Sequence, residues 1–333
     1  MKTSVLFSFT EKGRITSERI ASAISSKYES TLLEPRGNLK SLVEEHFSSA
    51  DALIFVGACG IAVRAIAPHI VSKTIDPAVI SVDECARFVI PILSGHIGGA
   101  NELAVMIAKA VDGVAVVTTA TDINNRFSVD NWARSTGLII SSMEIAKRFS
   151  AEILKRDLPL YTDVEIKGSF PPGIYPGDSG DLGAAVTYRD STPFETTLRL
   201  IPRVLHVGVG CRRGTSSEKI RDSIQRVFTE NSLRTEAISC LASIDVKRDE
   251  AGLITASEAF GSDIHFFTAA ELEAARGNFT ASDFVKSAVG VDNVCERAAI
   301  CSAGTDATLI VKKNGRDGVT VAVAAEKRRY SFE

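Results

Sequence analysis

The first 120 residues alternate between short apolar runs and amphipathic segments with a helical period. The run from Ala52 to Val56 is apolar at every position, which favours a strand covered on both faces. Such alternation is typical of a parallel sheet with helices on both sides. Strands are predicted at 4–9, 31–35, 51–58, 78–83 and 114–120, and helices at 17–26, 39–47, 61–68 and after residue 99. The pattern predicts an N-terminal α/β domain at residues 1–133.

The pattern changes near Asn131 and again near Pro202. Prolines and glycines are dense between short apolar pieces at 158–190, which predicts a small central domain or linker at 134–202. A helix predicted at 142–155 leads into this segment. The α/β pattern restarts at Arg203, with helices predicted at 256–260, 269–276 and 292–299, and one near 217 that Thr215 or Ser216 caps. The predicted fold class is therefore α/β, with an N-terminal parallel-sheet domain, a small central domain and a C-terminal α/β domain at 203–333.

Composition narrows the functional class. The chain has 333 residues, 45% hydrophobic and 24% charged, which argues against disorder and for a sizeable core. A net charge of −3 excludes the broad basic surface that binds nucleic acid, so an anionic small molecule would need local arginines. The six cysteines are scattered without zinc-ligand spacing, and no apolar run is long enough for a signal segment or a membrane span. We expect a cytoplasmic protein with reduced thiols, no metal site and no membrane partner.

Common catalytic signatures are absent, but four polar loops follow predicted strands. The sequence has no P-loop, no zinc-protease motif, no nucleophile elbow and no dinucleotide fingerprint. Ligands of open α/β sheets bind beyond the carboxyl ends of parallel strands. In the first loop, GACGIAVR at 57–64, Gly57 and Gly60 permit close backbone approach, and Arg64 could meet an anion. A tight turn and a surface ion pair are the alternatives.

The second loop, LSGHIGGANELA at 93–104, places a histidine among glycines before a helix. Its candidate residues are Gly95, His96, Gly98, Gly99, Asn101 and Glu102. A histidine there suits a general base, because its ordinary pKa is near neutrality, but it could equally hydrogen-bond the turn.

The third and fourth loops add hydroxyl and guanidinium groups. TTATDINNRFSVD at 118–130 presents Thr119, Asp122 and Arg126, which could form a polar wall, although Asx turns explain such a loop equally well. GVGCRRGTSS at 208–217 presents Arg212, Arg213 and Thr215 beside a predicted helix start, where guanidinium groups can hold a carboxylate or phosphate.

These same stretches carry a resemblance to a known family. The block 57–104 with 117–133 resembles the N-terminal domain of the cobalt-precorrin-5A hydrolases of anaerobic cobalamin biosynthesis. Five further motifs resemble their C-terminal domain: GVGCRRGT, ASIDVK, FFTAAEL, GVDNVCERAA and VTVAVA. The resemblance therefore covers both ends of the chain.

The resemblance implies hydrolysis of a ring-contracted cobalt corrinoid. The δ-lactone on the ring A acetate is opened, and C20 leaves with its methyl group as acetaldehyde to give cobalt-precorrin-5B. Cobalt would be carried by the substrate, so no cofactor is implied. For that chemistry we expect His96 as base, Glu102 or Asp122 as orienting or alternative carboxylate, and backbone N–H groups at 98–100 as oxyanion donors. Arg64, Arg126, Arg212 and Arg213 would meet the acetate and propionate arms.

Two alternatives come from other classes of protein. One is a noncatalytic carrier of corrinoid intermediates, and the other is a generic α/β hydrolase, which the missing nucleophile elbow disfavours. Expected partners are the corrinoid and, transiently, neighbouring pathway enzymes; whether the chain forms a homodimer is left open.

Overall fold

The computed structural model describes residues 1–72, 75–95, 98–119, 124 and 126–332, apart from the side chains of residues 284 and 288. His96 and Asp122, two of the three predicted catalytic residues, lie outside the described residues. Internal contacts divide the chain into an N-terminal unit, 1–131, and a C-terminal unit, 132–333. The α/β class is confirmed, because both units are built on sheets rich in parallel strands and flanked by helices.

The N-terminal unit has a single sheet of strand order β2-β1-β3-β4-β5-β6. Its elements are β1 (Lys2–Ser8), α1 (Glu11–Ile24), β2 (Tyr28–Leu33), α2 (Leu39–Phe47), β3 (Ala52–Val56), α3 (Cys59–Ile66), β4 (Ala78–Val82), β5 (Phe88–Leu93), α4 (Ala100–Val111) and β6 (Val114–Ala115). Every residue of β3 is buried, as its continuous apolar run predicts. Leu6 and Ile54 face one layer of apolar side chains, while the rings of Phe7 and Phe55 stack on the other face with centroids 4.9 Å apart.

Strand β5 is not predicted by the hydrophobic pattern, and it changes the geometry of the predicted site. The chain turns after β4 through Ala86, which has a φ of +57°, and β5 returns antiparallel, with Leu93 opposite Val79. Pro91 argues against an interior strand, but a register shift between Val79 and Ile80 accommodates it in the ladder. The loop after β5 therefore lies at the amino end of β4, not at its carboxyl end.

The first and second loops, which both follow predicted strands, therefore lie at opposite edges of the sheet. The first loop follows β3, which runs parallel to β4, whereas the second and third follow β5 and β6, which run in the opposite direction. A five-residue strand spans roughly 16 Å, so the end of β5 lies about that distance from the end of β3.

The chain continues through α5 (Val129–Thr136), which contains the division between the units, into the C-terminal unit. Its elements are β7 (Ile139–Ile140), α6 (Met143–Glu152), β8 (Leu158–Thr162), β9 (Glu165–Lys167), β10 (Ile174–Pro176), β11 (Leu182–Val186), β12 (Thr196–Ile201), β13 (Leu205–Cys211), α7 (Ser217–Glu230), β14 (Ile238–Ile244), α8 (Ala251–Ala259), β15 (Asp263–Phe267), α9 (Ala269–Ala274), α10 (Asp283–Val289), α11 (Cys295–Ala303), β16 (Thr308–Arg316), β17 (Val319–Ala325) and β18 (Arg329–Ser331).

The C-terminal unit contains two larger sheets. The first, of order β10-β8-β11-β12-β7, comes from the segment predicted as the central domain. The second, of order β15-β14-β13-β17-β16, has β13, β14 and β15 parallel and β17 antiparallel to β13. The division into three domains stays a prediction. Helix α8 starts earlier than predicted, and α10 was not predicted at all. Among the described residues, no helix combines the length and hydropathy needed to cross a membrane.

Helix α11 packs directly onto β13 because Gly208 has no side chain. A Cβ atom built on Gly208 would lie 1.8 Å from the carbonyl oxygen of Cys295 and 2.8 Å from the amide nitrogen of Ala299. The contact is with helix backbone, which cannot move aside as a side chain end can. The close approach of α11 to the sheet therefore requires glycine at this position.

We predict that Gly208→Ala lowers the free energy of unfolding by about 1–3 kcal/mol, because α11 must shift away from β13. Thermal unfolding followed by circular dichroism would measure this loss. Gly60→Ala is the matched control: its Cβ would lie 3.4 Å from the flexible Arg64 guanidinium, and alanine favours helix, so it should cost nothing. Equal midpoints for Gly208→Ala and wild type would contradict the packing argument.

His206 lies in β13 beneath the carboxyl end of α11. It is 6% exposed, its Nδ1 is 2.8 Å from the Ser302 hydroxyl, and its Nε2 is 3.7 Å from a Glu326 carboxylate oxygen. Burial lowers the pKa of His206 more than the nearby Glu326 carboxylate raises it. The folded protein therefore binds this proton less readily than the unfolded chain does.

We predict that stability falls as the pH drops below about 6.5, the ordinary histidine pKa, since the unfolded chain then takes up a proton that folded His206 resists. The loss should be smaller in His206→Gln, which keeps a polar group beside Ser302 and does not titrate. Trp132, the one tryptophan of the sequence, is buried in the C-terminal unit, so its fluorescence reports thermal unfolding there. Identical pH dependence of the two midpoints would show that His206 is not responsible.

Candidate functional site

A pocket of about 340 Å³ lies at the carboxyl ends of β13 and β14 in the C-terminal unit. Its walls come from the loop after β13, the end of β14, helix α10, the start of α11 and the β16–β17 hairpin. This position, beyond the ends of parallel strands, is where open α/β sheets bind ligands. We call it the C-terminal pocket.

Three cationic side chains line the C-terminal pocket: Arg212, Lys247 and Lys313. Arg212 crosses the hairpin at Gly318, where a Cβ atom would lie 3.2 Å from its Cδ. In the part of the chain that the structure describes, no carboxylate lies within 4 Å of the charged groups of Arg212 or Lys313. Their charges are therefore available to an anion.

Lys247 is held differently, by a buried carboxylate. Its side chain is only 14% exposed, and its Nζ lies 3.4 Å from Oε2 of Glu250. The other oxygen of Glu250 accepts a hydrogen bond from the Gly214 amide at 2.8 Å, so this carboxylate also ties down the loop after β13. Neither residue is among those predicted from the sequence; the available signal was a lysine at the end of the ASIDVK motif, followed three positions later by a glutamate.

Glu296 holds the opposite wall. Its carboxylate is fully buried and accepts hydrogen bonds from the Thr280 amide at 2.7 Å, the Thr280 hydroxyl at 2.9 Å and the Lys313 amide at 2.6 Å. Asn293 donates to the Thr280 carbonyl at 2.9 Å and accepts from the Glu296 amide at 2.8 Å. The start of α11 thereby fixes both the segment leading into α10 and the strand that carries Lys313. An Asn three positions before a Glu is a capping pattern that could have pointed to this pair.

The remaining lining is largely apolar. Val285 and Val289 of α10 face the pocket together with Ile244 and two cysteines. Burial raises the pKa of Cys211 and raises that of Cys295 to about 11, so both are neutral thiols at pH 7. The described residues that line the pocket include no aspartate, glutamate or histidine, so they offer an anion site without a general base.

The three residues predicted in the fourth loop, at 208–217, have different environments in the structure. Arg212 lines the C-terminal pocket, whereas Arg213 pairs with Asp249 at 3.2 Å on the exposed surface. Thr215 donates its hydroxyl to the Arg212 carbonyl at 2.7 Å and so braces the loop. The helix cap is Ser216, which accepts from the Lys219 amide.

In the N-terminal unit, hydrogen bonds among its own backbone groups and close contacts stabilise the glycine-rich turn after β5. Ser94 has a φ of +56° and donates to the Asp76 carbonyl, and a Cβ on Gly98 would lie 2.3 Å from that of Ser94. Gly99 begins α4 with a φ of +83°. The Ala100 amide donates to the Ser94 carbonyl at 3.1 Å, so the predicted oxyanion donor at residue 100 is already used within the turn.

Three of the predicted residues around this turn converge. The Asn101 amide group packs against Gly95 and donates to the Thr119 hydroxyl at 2.9 Å, which joins the second and third loops. Arg126 is half-buried further along the third loop. Glu102 lies exposed on α4 with Lys27 3.1 Å from its carboxylate, and its role stays a prediction.

Gly57, Gly60 and Arg64 lie at the other edge, beside a crevice of about 290 Å³ between the ends of β1 and β3. The ring of Phe9 covers Gly57, where a Cβ would lie 2.8 Å from it, and the Arg64 guanidinium folds over Gly60. The roles of these three residues stay predictions. The residues themselves lie at the opposite edge of the sheet from the turn after β5.

Comparison with known proteins identifies the family. The model described as "Cobalamin synthesis G N-terminal" matches residues 41–122, and "Cobalamin synthesis G C-terminus" matches 205–324. A Priestia megaterium protein named cobalt-precorrin-5A hydrolase is 30% identical over 310 residues, 86% of this chain and 82% of its own. A Salmonella typhimurium protein of the same name is 32% identical over 278 residues, 79% of each chain. Protein CobE of a Sinorhizobium species is 31% identical over 136 residues, 39% of this chain and 88% of CobE.

The family models fall in both units, and the two named relatives match across about four fifths of their own length. On this evidence, the chain belongs to the cobalamin synthesis G family and acts in cobalamin biosynthesis.

Proposed function

We propose that this protein is a cobalt-precorrin-5A hydrolase. The observation that carries the proposal is the cationic C-terminal pocket at the carboxyl ends of β13 and β14. Two relatives in the same family bear the name cobalt-precorrin-5A hydrolase. A corrinoid intermediate of this kind carries acetate and propionate arms. Arg212, Lys247 and Lys313 explain how a protein of net charge −3 can bind such a polyanion.

The proposed reaction has two steps. Water adds to the lactone carbonyl, the acyl–oxygen bond breaks, and the ring A acetate and a hydroxyl on C20 are released. Loss of the hydroxyl proton then lets the bond between C20 and the ring break: C20 becomes the carbonyl carbon of acetaldehyde, and the electron pair left on the macrocycle takes up a proton. Both steps need a base, and the first needs donors for a developing oxyanion.

We place the base in the N-terminal unit. The described lining of the C-terminal pocket has cations and neutral thiols. These groups can hold an anion, but they do not accept a proton from water or from the C20 hydroxyl. His96, with Asp122 as orienting or alternative carboxylate, stays the predicted choice. Cobalt would arrive with the substrate, so the proposal needs no cofactor. Transient contacts with neighbouring pathway enzymes stay a prediction.

A noncatalytic corrinoid carrier is the second candidate. The absence of a base among the described residues of the C-terminal pocket favours it, as a carrier needs binding groups alone. The two candidates differ in whether a carbon–carbon bond is broken.

We predict that incubation of the protein with cobalt-precorrin-5A releases one acetaldehyde for each corrinoid consumed. Alcohol dehydrogenase with NADH would measure the aldehyde, and mass spectrometry would measure the loss of the two-carbon unit. Tight binding without acetaldehyde would establish the carrier instead. Neither binding nor release would overturn both candidates.

We predict that His96→Ala lowers turnover about 100-fold or more if His96 is the base. The control is His46→Ala on α2, a residue that no part of the proposal uses. Near-native turnover of His96→Ala would remove it from the mechanism and leave Asp122→Asn as the next variant to measure.

Glu102→Gln should reduce turnover less than His96→Ala does, because Glu102 is an exposed partner of Lys27.

A further inference from the structure

The size of the C-terminal pocket limits what can enter it. Its volume is about 340 Å³, near the lower end of the roughly 300–1,000 Å³ that drug-sized ligands occupy. A metallated macrocycle with many carboxylate arms is larger than such ligands. The pocket can therefore take an edge of a corrinoid, but not the whole ring.

The chemistry of the lining matches a short acid arm. Val285, Val289 and Ile244 supply an apolar surface for methylene groups, while three cations supply partners for a carboxylate. Arg212 and Lys313 have no carboxylate partner among the described residues, and one carboxylate, Glu250, lies beside Lys247. The pocket therefore keeps a net positive charge, and its partly buried position strengthens attraction to an anion.

The Lys247 side chain and the backbone beside the other two cations are also held in place before any ligand arrives. Glu250 bonds both Lys247 and the Gly214 amide, and Glu296 bonds the backbone amides of Thr280 and Lys313. The two walls are thus fixed by separate buried carboxylates. Less ordering is then needed on binding, which favours affinity.

We propose that the C-terminal pocket binds one or two acetate or propionate arms from the periphery of a corrinoid, and that the reacting lactone stays outside it. This inference rests on the proposed function for the identity of the ligand. Because the pocket contacts only groups that the reaction leaves unchanged, it binds substrate, product and any lactone-free corrinoid acid alike. Such uniform binding lowers KM without raising kcat.

The first test is equilibrium binding to the full-length protein, with cobyrinic acid as a lactone-free polyacid probe and its heptamethyl ester as the uncharged counterpart. We expect the ester to bind at least 100-fold more weakly than the acid, and affinity for the acid to fall with ionic strength. Equal affinity for acid and ester would overturn the proposal.

Matched variants locate the site. Lys313→Met and Arg212→Met should each raise the Kd of cobyrinic acid about 10-fold or more, because each loses a charge-assisted contact. Their sequence neighbours are the controls: Lys312 is exposed on β16, and Arg213 pairs with Asp249, so Lys312→Met and Arg213→Met should change Kd less than about 2-fold. Equal effects of a pocket variant and its neighbour would overturn the site. Lys247→Met leaves Glu250 without its lysine, so the test relies on the other two variants.

Turnover separates this inference from the proposed function. In a protein that releases acetaldehyde, the Lys313→Met and Arg212→Met variants should raise KM and leave kcat unchanged; lowered kcat with unchanged KM would place the pocket at the reaction and overturn the inference. If no acetaldehyde is released but the acid, ester and variant pattern holds, the hydrolase proposal fails and the carboxylate site stands. If acetaldehyde is released but that binding pattern is absent, the hydrolase proposal stands and the carboxylate site fails.

Discussion

The buried carboxylate of Glu296 fixes one wall of the C-terminal pocket, as Glu250 fixes the other. Taking a carboxylate out of water costs several kcal/mol unless donors replace the water, and Glu296 receives three such donors. Two are backbone amides, from Thr280 and Lys313, that lie more than thirty residues apart in the chain. Satisfying this one charge therefore fixes the distance between the segment before α10 and the strand that carries a pocket cation. Gly208 completes the arrangement, because α11 can present Glu296 there only by lying directly on β13.

In the proposed hydrolase, binding and proton transfer would be divided between different residues. The C-terminal pocket has cations and thiols whose pKa is raised by burial, which suits holding an anion. The groups predicted to move protons, His96 and Asp122, belong to the N-terminal unit. In the proposed hydrolase, affinity for the acidic periphery and chemistry at the lactone would then be set by separate substitutions.

The N-terminal unit shows how strand direction decides which loops can act together. Asn101 and Thr119 come from two predicted loops and do meet, through a 2.9 Å hydrogen bond. Gly57 and Arg64 do not join them, because the unpredicted strand β5 reverses the chain and carries its loop to the other edge. Pro91 made that strand hard to predict, because a proline lacks the amide hydrogen that an interior strand donates. In the structure, a local register shift accommodates it.

The sequence by itself determined the α/β class, most of the elements and the family, since periodicity and motifs are properties of local residues. It also singled out Arg212, whose residue type and position before a helix suffice to suggest an anion site. Only the tertiary structure decided that Arg213 faces an exposed aspartate and that Lys247 and Lys313 join Arg212. It alone showed that Glu250 contacts Lys247 and that Glu296 fixes the backbone of Lys313. Most of these contacts join segments that lie far apart in the chain, so a local pattern can point to a residue such as Glu296 but does not specify its partners there.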